Sequence, residues 1–209
     1  MSRPDTKVVF GCASVLLSYP EAGLTEDLAA VTAAVGGLGR GRARSRLEGV
    51  CRWLSARPLV EVQASYVEAF DFQAKRSLHL TYLRHGDTRE RGLALAALVD
   101  VYRTAGFPLA PGELPDYLPA LLELAAVSPA GAAVLAGERA ALEALREGLV
   151  SIDSPYAEVV AAVADVLGAP SRVQRQLLRR YRAEGPPTEA VGLEAFAPPD
   201  VVTGGVTRR

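Results

Sequence analysis

Ser154-Pro-Tyr-Ala-Glu-Val-Val-Ala-Ala-Val-Ala-Asp-Val-Leu-Gly168 is the stretch whose reading decides the fold class. Tyr156, Val159, Val160, Val163, Val166 and Leu167 recur at steps of three and four, the period of one face of an α-helix. Ser154 followed by Pro155 is a helix start signal, and Gly168 with Pro170 is a stop. The same pattern continues outward in both directions. Downstream, a further helix begins near Ser171 and fades near Glu184. Upstream, residues 130–149 read as one helix carrying Leu135, Leu142, Leu145 and Leu149. Pro115 suits the first turn of another, with Leu118, Leu121, Leu122 and Ala125 on it.

The N-terminal half follows the same period. Val8, Cys12, Val15, Leu16 and Tyr19 predict a helix over 6–19, stopped by Pro20. Thr25 is the expected cap of a second helix, with Glu26 and Asp27 in its first turn and a glycine-rich loop, 36–41, after it. Leu47, Val50, Cys51 and Leu54 mark a third helix, halted before Pro58, and Leu59–Phe70 forms a fourth. Ser77-Leu-His-Leu-Thr-Tyr-Leu83 could alternate as a strand, but no partner strand is evident, so it reads as helix. Asp87 and Glu90 have capping-box spacing and open a helix that reaches about Ala105, with Gly106 to close it. The expectation is an all-α, single-domain globular helical bundle over residues 1–184. A tail, 185–209, is rich in proline and glycine, can bury little surface and is expected to be disordered.

Composition narrows the function. The chain has 209 residues, of which 49% are hydrophobic, enough for one sizeable core. A formal charge of −1 gives no bulk field toward nucleic acid or anionic lipid. The N-terminal MSRPDTK lacks the features of a signal peptide, and the apolar runs 8–19 and 93–102 are too short or too interrupted to span a bilayer. A cytoplasmic protein with no membrane insertion is expected. Cys12 and Cys51 fall on apolar helix positions and read as buried, reduced thiols.

Catalytic signals are missing. His79 and His85 are the two histidines, too few and too far from any cysteine for a zinc site. No phosphate loop, dinucleotide fingerprint or nucleophile elbow occurs. No catalysis, metal or cofactor is expected. Two arginine clusters, 40–46 and Arg172, Arg175, Arg179 and Arg182, read first as solvated faces, and the second also as a docking face for an acidic segment. Without interleaved aromatics, nucleic acid is a poor partner for either. Residues 66–123 hold most of the aromatics, with carboxylates close in sequence. Core packing explains each one singly; together they suit a groove for an amphipathic helix bearing basic residues.

Four motifs carry a resemblance. Tyr66-Val-Glu-Ala-Phe-Asp-Phe72, Ser77-Leu-His-Leu-Thr-Tyr82, Gly86-Asp-Thr-Arg-Glu-Arg-Gly92 and Glu113-Leu-Pro-Asp-Tyr-Leu-Pro119 followed by Glu123 resemble, in order and spacing, the NarJ family. These are the assembly chaperones, or delta subunits, of respiratory nitrate reductase, within the redox-enzyme maturation chaperones. The resemblance extends more weakly over about residues 8–182. Tyr117 stands where many relatives are expected to carry histidine, so a role that needs an imidazole there is not carried over.

The resemblance implies an all-α fold and a partner, the apo catalytic (alpha) subunit of respiratory nitrate reductase, bound in part through its N-terminal segment. It implies support for molybdenum-cofactor and iron–sulfur insertion and a delay of membrane docking. A maturation chaperone of another molybdoenzyme is the nearest rival, which Gly86–Gly92 argues against. An α-helical regulatory or ligand-binding domain is a more distant one. The expected peptide site takes Tyr66, Phe70, Leu80, Tyr82, Leu118 and Leu122 as apolar anchors. Asp116 and Glu123, at i and i+7 of one expected helix, form its charged rim.

Overall fold

The computed structural model describes residues 3–187. Among them the chain forms α1 (Arg3–Leu17), α2 (Leu24–Gly36), α3 (Arg42–Ser55), α4 (Leu59–Phe70), α5 (Leu80–His85), α6 (Arg89–Thr104), α7 (Leu118–Val127), α8 (Pro129–Gly137), α9 (Arg139–Val150), α10 (Tyr156–Leu167) and α11 (Arg172–Glu184). A 3₁₀ turn, Ala74–Arg76, follows α4. The all-α expectation holds: the described residues contain no strand, only an isolated antiparallel bridge between His79 and Tyr117.

Helix α10 is the central element. Tyr156, Ala157 and Val159 through Ala164 are all buried, so it is apolar nearly all round, as a helix inside a core must be. It packs on α1, α3 and α9, and α1 packs in turn on α7. Small residues between the valines let these neighbours approach, and each fully buried valine contributes roughly 1.5–3 kcal/mol relative to leaving it in water. Helix α6 is peripheral. It leans on α5 and α8, and of its residues Tyr102 is the one that is buried.

Several local expectations are corrected. Gly23, not Thr25, caps α2, without a side-chain bond. Thr88, not Asp87, precedes α6, and its hydroxyl donates to the carbonyl of His85, so no capping box forms there. Residues 130–149 are two helices, split at Glu138. The leucine spacing is satisfied on both sides of the break, and the reasons for it are remote in sequence. Gln174 Nε2 donates to the carbonyls of Ala136 and Gly137 at 2.8 and 3.2 Å, which satisfies the end of α8. Ser171 and Gln174 form the capping box that starts α11 where expected. Helix α8 also crosses α7 closely. A Cβ on Gly131 would lie 2.6 Å from Leu124 Cγ, so only glycine fits. Most of the expected tail, residues 188–209, lies outside the described residues.

Candidate partner-binding site

Three segments meet beside the aromatic core: the end of α4, residues 77–82, and the turn 113–117 that leads into α7. Arg76 makes the first junction. It is buried, and its guanidinium donates to the carbonyls of Ala69 (2.7 Å) and Glu68 (3.1 Å), capping the open end of α4. Gly148 of α9 leaves room for its stem: a Cβ there would lie 3.1 Å from Arg76 Cγ. The chain then runs extended through His79. Leu80 N–H donates to Asp116 O at 3.1 Å and Leu118 N–H to Leu78 O at 2.8 Å. The partner that the alternating pattern of 77–83 lacked in sequence is therefore the turn at Tyr117. Leu80–His85 is helical, so the helix expected over that segment forms in its second part.

Asp116 ties these segments together. It is 0% exposed. Its carboxylate accepts from Thr81 N–H at 3.3 Å and from the Thr81 hydroxyl, and it meets His79 Nδ1 at 3.1 Å. Arg91 of α6 approaches it at 3.6 Å. Burial alone would push its pKa up; the hydrogen bonds of His79 and Thr81 and the charges of His79 and Arg91 outweigh that and hold it below the usual carboxylate value. Arg91 also lies over the Tyr82 ring, 5.4 Å from its centre.

The expected rim is thereby corrected. Helix α7 begins at Leu118 with Pro119, not Pro115, in its first turn, so Asp116 precedes the helix and faces inward. It cannot share an exposed helix face with Glu123. Glu123 does lie on the surface, 3.3 Å from Ser14 Oγ, whose single proton has a nearer acceptor in the Pro119 carbonyl at 2.9 Å.

The expected anchors lie mainly beneath the surface. Tyr66 and Phe70 are 5% and 7% exposed, and Leu80, Leu118 and Leu122 are fully buried. Tyr66, Phe70 and Tyr156 form one aromatic cluster with ring centres 4.7–5.7 Å apart. The Tyr66 hydroxyl donates to Leu17 O at 3.0 Å, and burial, first of all, raises its pKa. Over this cluster lie residues that the sequence reading left out. Tyr19 packs edge-on against Tyr66 at 5.4 Å and is 46% exposed. Tyr117 is half-buried, with its hydroxyl 3.4 Å from that of Tyr66 and its ring 5.6 Å from His79. Tyr19 was read as the last apolar position of its helix, but α1 ends at Leu17 and leaves its ring outside. The candidate site is thus the exposed Tyr19 with the half-buried Tyr117, His79 and Tyr82, above a buried aromatic and leucine core.

The thiols Cys12 and Cys51 are buried and free. Burial, and then the neighbouring Cys51, pushes the Cys12 thiol up to about 11. Among the described residues no cluster is arranged to hold a metal ion, and no helix is long and apolar enough to cross a membrane.

Comparison with known proteins gives the relationship. The family described as "Nitrate reductase delta subunit" matches residues 40–162. "Nitrate reductase-like protein NarX" of Mycobacterium tuberculosis is 40% identical over 161 residues, covering 75% of this chain but 24% of that protein. The chain thus spans about a quarter of NarX. "Probable nitrate reductase molybdenum cofactor assembly chaperone NarJ" of Bacillus subtilis is 33% identical over 162 residues, 77% of this chain and 88% of that one. "Nitrate reductase molybdenum cofactor assembly chaperone NarJ" of Escherichia coli K12 is 36% identical over 124 residues, 58% and 52% of the two. The two NarJ relatives are named as assembly factors, not as catalysts, in keeping with the expectation of no catalysis. On the extent of these matches the chain belongs to the nitrate reductase delta subunit family.

Proposed function

We propose that this chain is an assembly chaperone of respiratory nitrate reductase that works in the cytoplasm. It binds the apo catalytic subunit through that subunit's N-terminal segment, keeps it open for molybdenum-cofactor and iron–sulfur insertion, and delays its docking on the membrane. Family membership supports the chaperone role. The observation that supports the binding role is the exposed ring of Tyr19 together with the half-buried rings of Tyr82 and Tyr117, near the buried Asp116 knot and with the carboxylates Glu113 and Glu123 close to Tyr117 in the chain. Aromatic anchors with a polar rim are what an amphipathic helix needs from its receptor. A face held rigid before binding loses little entropy when the helix docks.

In this reading Tyr82, Tyr117 and Tyr19 touch the segment and Glu123 meets a basic residue on it. Tyr66, Phe70, Leu80, Leu118 and Leu122 act from below by fixing the surface, and Asp116 is a positioning residue. The test is calorimetric titration of the chain with a synthetic peptide copying the N-terminal segment of the catalytic subunit encoded in the same genome. Saturable binding that Tyr117→Ala weakens supports the reading; no heat and no binding at any salt concentration sinks it.

A further inference from the structure

Between Arg91 and Asp100 the successive residues Gly92-Leu-Ala-Leu-Ala-Ala-Leu-Val99 carry no charge and no polar side chain. They form the middle of α6, yet of the whole helix Tyr102 alone is buried. Leu93 is 74% and Val99 45% exposed, and Ala96 and Ala97 are exposed with them. Steps of three and four place Leu93, Ala96 and Ala97 on one face, which Val99 borders. A helix on the rim of a fold ordinarily turns charge to water, and a contiguous apolar surface there marks an interaction site.

The described chain ends beside this helix. Gly185, at a φ of 75°, turns the backbone out of α11, and Pro186 and Pro187 follow, half-buried. They line a cleft with Arg84 of α5 and Leu177 and Tyr181 of α11. Pro187 is seated on the buried Gly86: a Cβ there would overlap the Pro187 carbonyl oxygen and lie 2.8 Å from its carbon. Gly86 closes α5, and α6 begins just beyond it, at Arg89.

Reach and composition name the occupant of the α6 face. Arg89 is at most about 11 Å of chain from Gly86, and Leu93 lies about 6 Å farther up the helix. An extended chain from Pro187 to Leu193 spans about 20 Å, so Leu193 reaches Leu93. Residues 190–199, Ala-Val-Gly-Leu-Glu-Ala-Phe-Ala-Pro-Pro, carry a single charge, on Glu194, and bring Val191, Leu193 and Phe196 close to the point where the chain is held. A tether this short gives the segment an effective concentration on the order of millimolar at the face, which a second molecule does not match. Its proline and glycine argue against a core of its own, not against docking on a surface already built.

We propose that residues 190–197 of this chain dock on the outer face of α6, with Val191, Leu193 and Phe196 against Leu93, Ala96, Ala97 and Val99. The tail is a strap rooted at Gly86 that covers the apolar surface α6 leaves open. It shields that surface from a second copy of the chain.

Cysteine pairs in the full chain test it, since Cys12 and Cys51 are buried and stay silent. Leu93→Cys is combined in turn with Val191→Cys, Leu193→Cys and Phe196→Cys. Val173→Cys with the same three is the control: Val173 is also 74% exposed and lies about 17 Å of helix before Glu184, on the other side of the root. Under mild oxidation the fastest α6 pair should form its disulfide within one molecule at least about tenfold faster than the fastest control, read by mass spectrometry of the monomer. The α6 amides should also exchange hydrogen about tenfold or more slowly in the full chain than in one ending at Pro187, the effect of covering one leucine side chain. Equal rates for the α6 and control pairs overturn the proposal. Linkage found between two chains assigns the face to a second copy and overturns it as well. So does α6 exchange that removal of the tail leaves unchanged.

Discussion

Asp116→Asn keeps the shape of the side chain and removes its charge. In the native protein the carboxylate accepts from the Thr81 amide, the Thr81 hydroxyl and His79, with Arg91 at 3.6 Å. An asparagine has a single acceptor oxygen, and its amide must point at one of these donors. A hydrogen bond to a charged group is worth about 1.5–3 kcal/mol, and stripping a buried charge from its partners costs about 3–5 kcal/mol. Arg91 is partly exposed and rehydrates, so the lower part of that range, about 3 kcal/mol, is expected. In a domain of this size each 1 kcal/mol moves the melting temperature by about 2–4 °C, so the loss is roughly 6–12 °C. Thermal unfolding followed by circular dichroism, with urea unfolding alongside, reads it directly. The pH dependence fixes the sign. The folded carboxyl titrates below its usual value. Its stabilisation is therefore complete above the unfolded pKa, about 3.9 for aspartate, and disappears as the pH falls through the lower folded value. The gap between native and variant should stay constant above about pH 5 and close in acid. A loss under about 1 kcal/mol at neutral pH, or a gap that widens in acid, refutes the account of the knot.

Other consequences are smaller. Glu123→Gln should leave stability within about 0.5 kcal/mol and weaken peptide binding mainly at low salt, checked by titrations at two ionic strengths. Gly131→Ala should cost about 1–3 kcal/mol by urea unfolding, since its Cβ meets Leu124 at 2.6 Å where α7 and α8 cross. Cys12, with its thiol raised to about 11, should react with iodoacetamide at pH 8 far more slowly in the native chain than in denaturant, as followed by mass spectrometry.

The helices were legible because one short-range signal sets them. The valine and leucine stripe of 156–167 and the Ser171–Gln174 box contain their own explanation. What could not be read depends on contacts distant in the chain. The break at Glu138 is satisfied by Gln174 from α11, and the extended run before Leu80 pairs with Tyr117. Asp116 was read as an exposed rim carboxylate, and its burial was not legible, because the deciding donors, His79, Thr81 and Arg91, come from two other elements. The anchors Tyr66, Phe70, Leu80, Leu118 and Leu122 were chosen for hydrophobicity. That property puts a residue in the core as readily as on a binding face, and here it puts all five in the core. Tyr19 and Tyr117 reach the surface through the end of a helix and the geometry of a turn, neither of which periodicity reports.

The central claim is that this chain assists the assembly of a nitrate reductase. Its most direct test is the molybdenum content of the purified catalytic subunit, produced in cells with and without this chain. The account predicts near-complete loading with the chain, a large deficit without it, and restoration by the native chain. Equal molybdenum content in both preparations would contradict it.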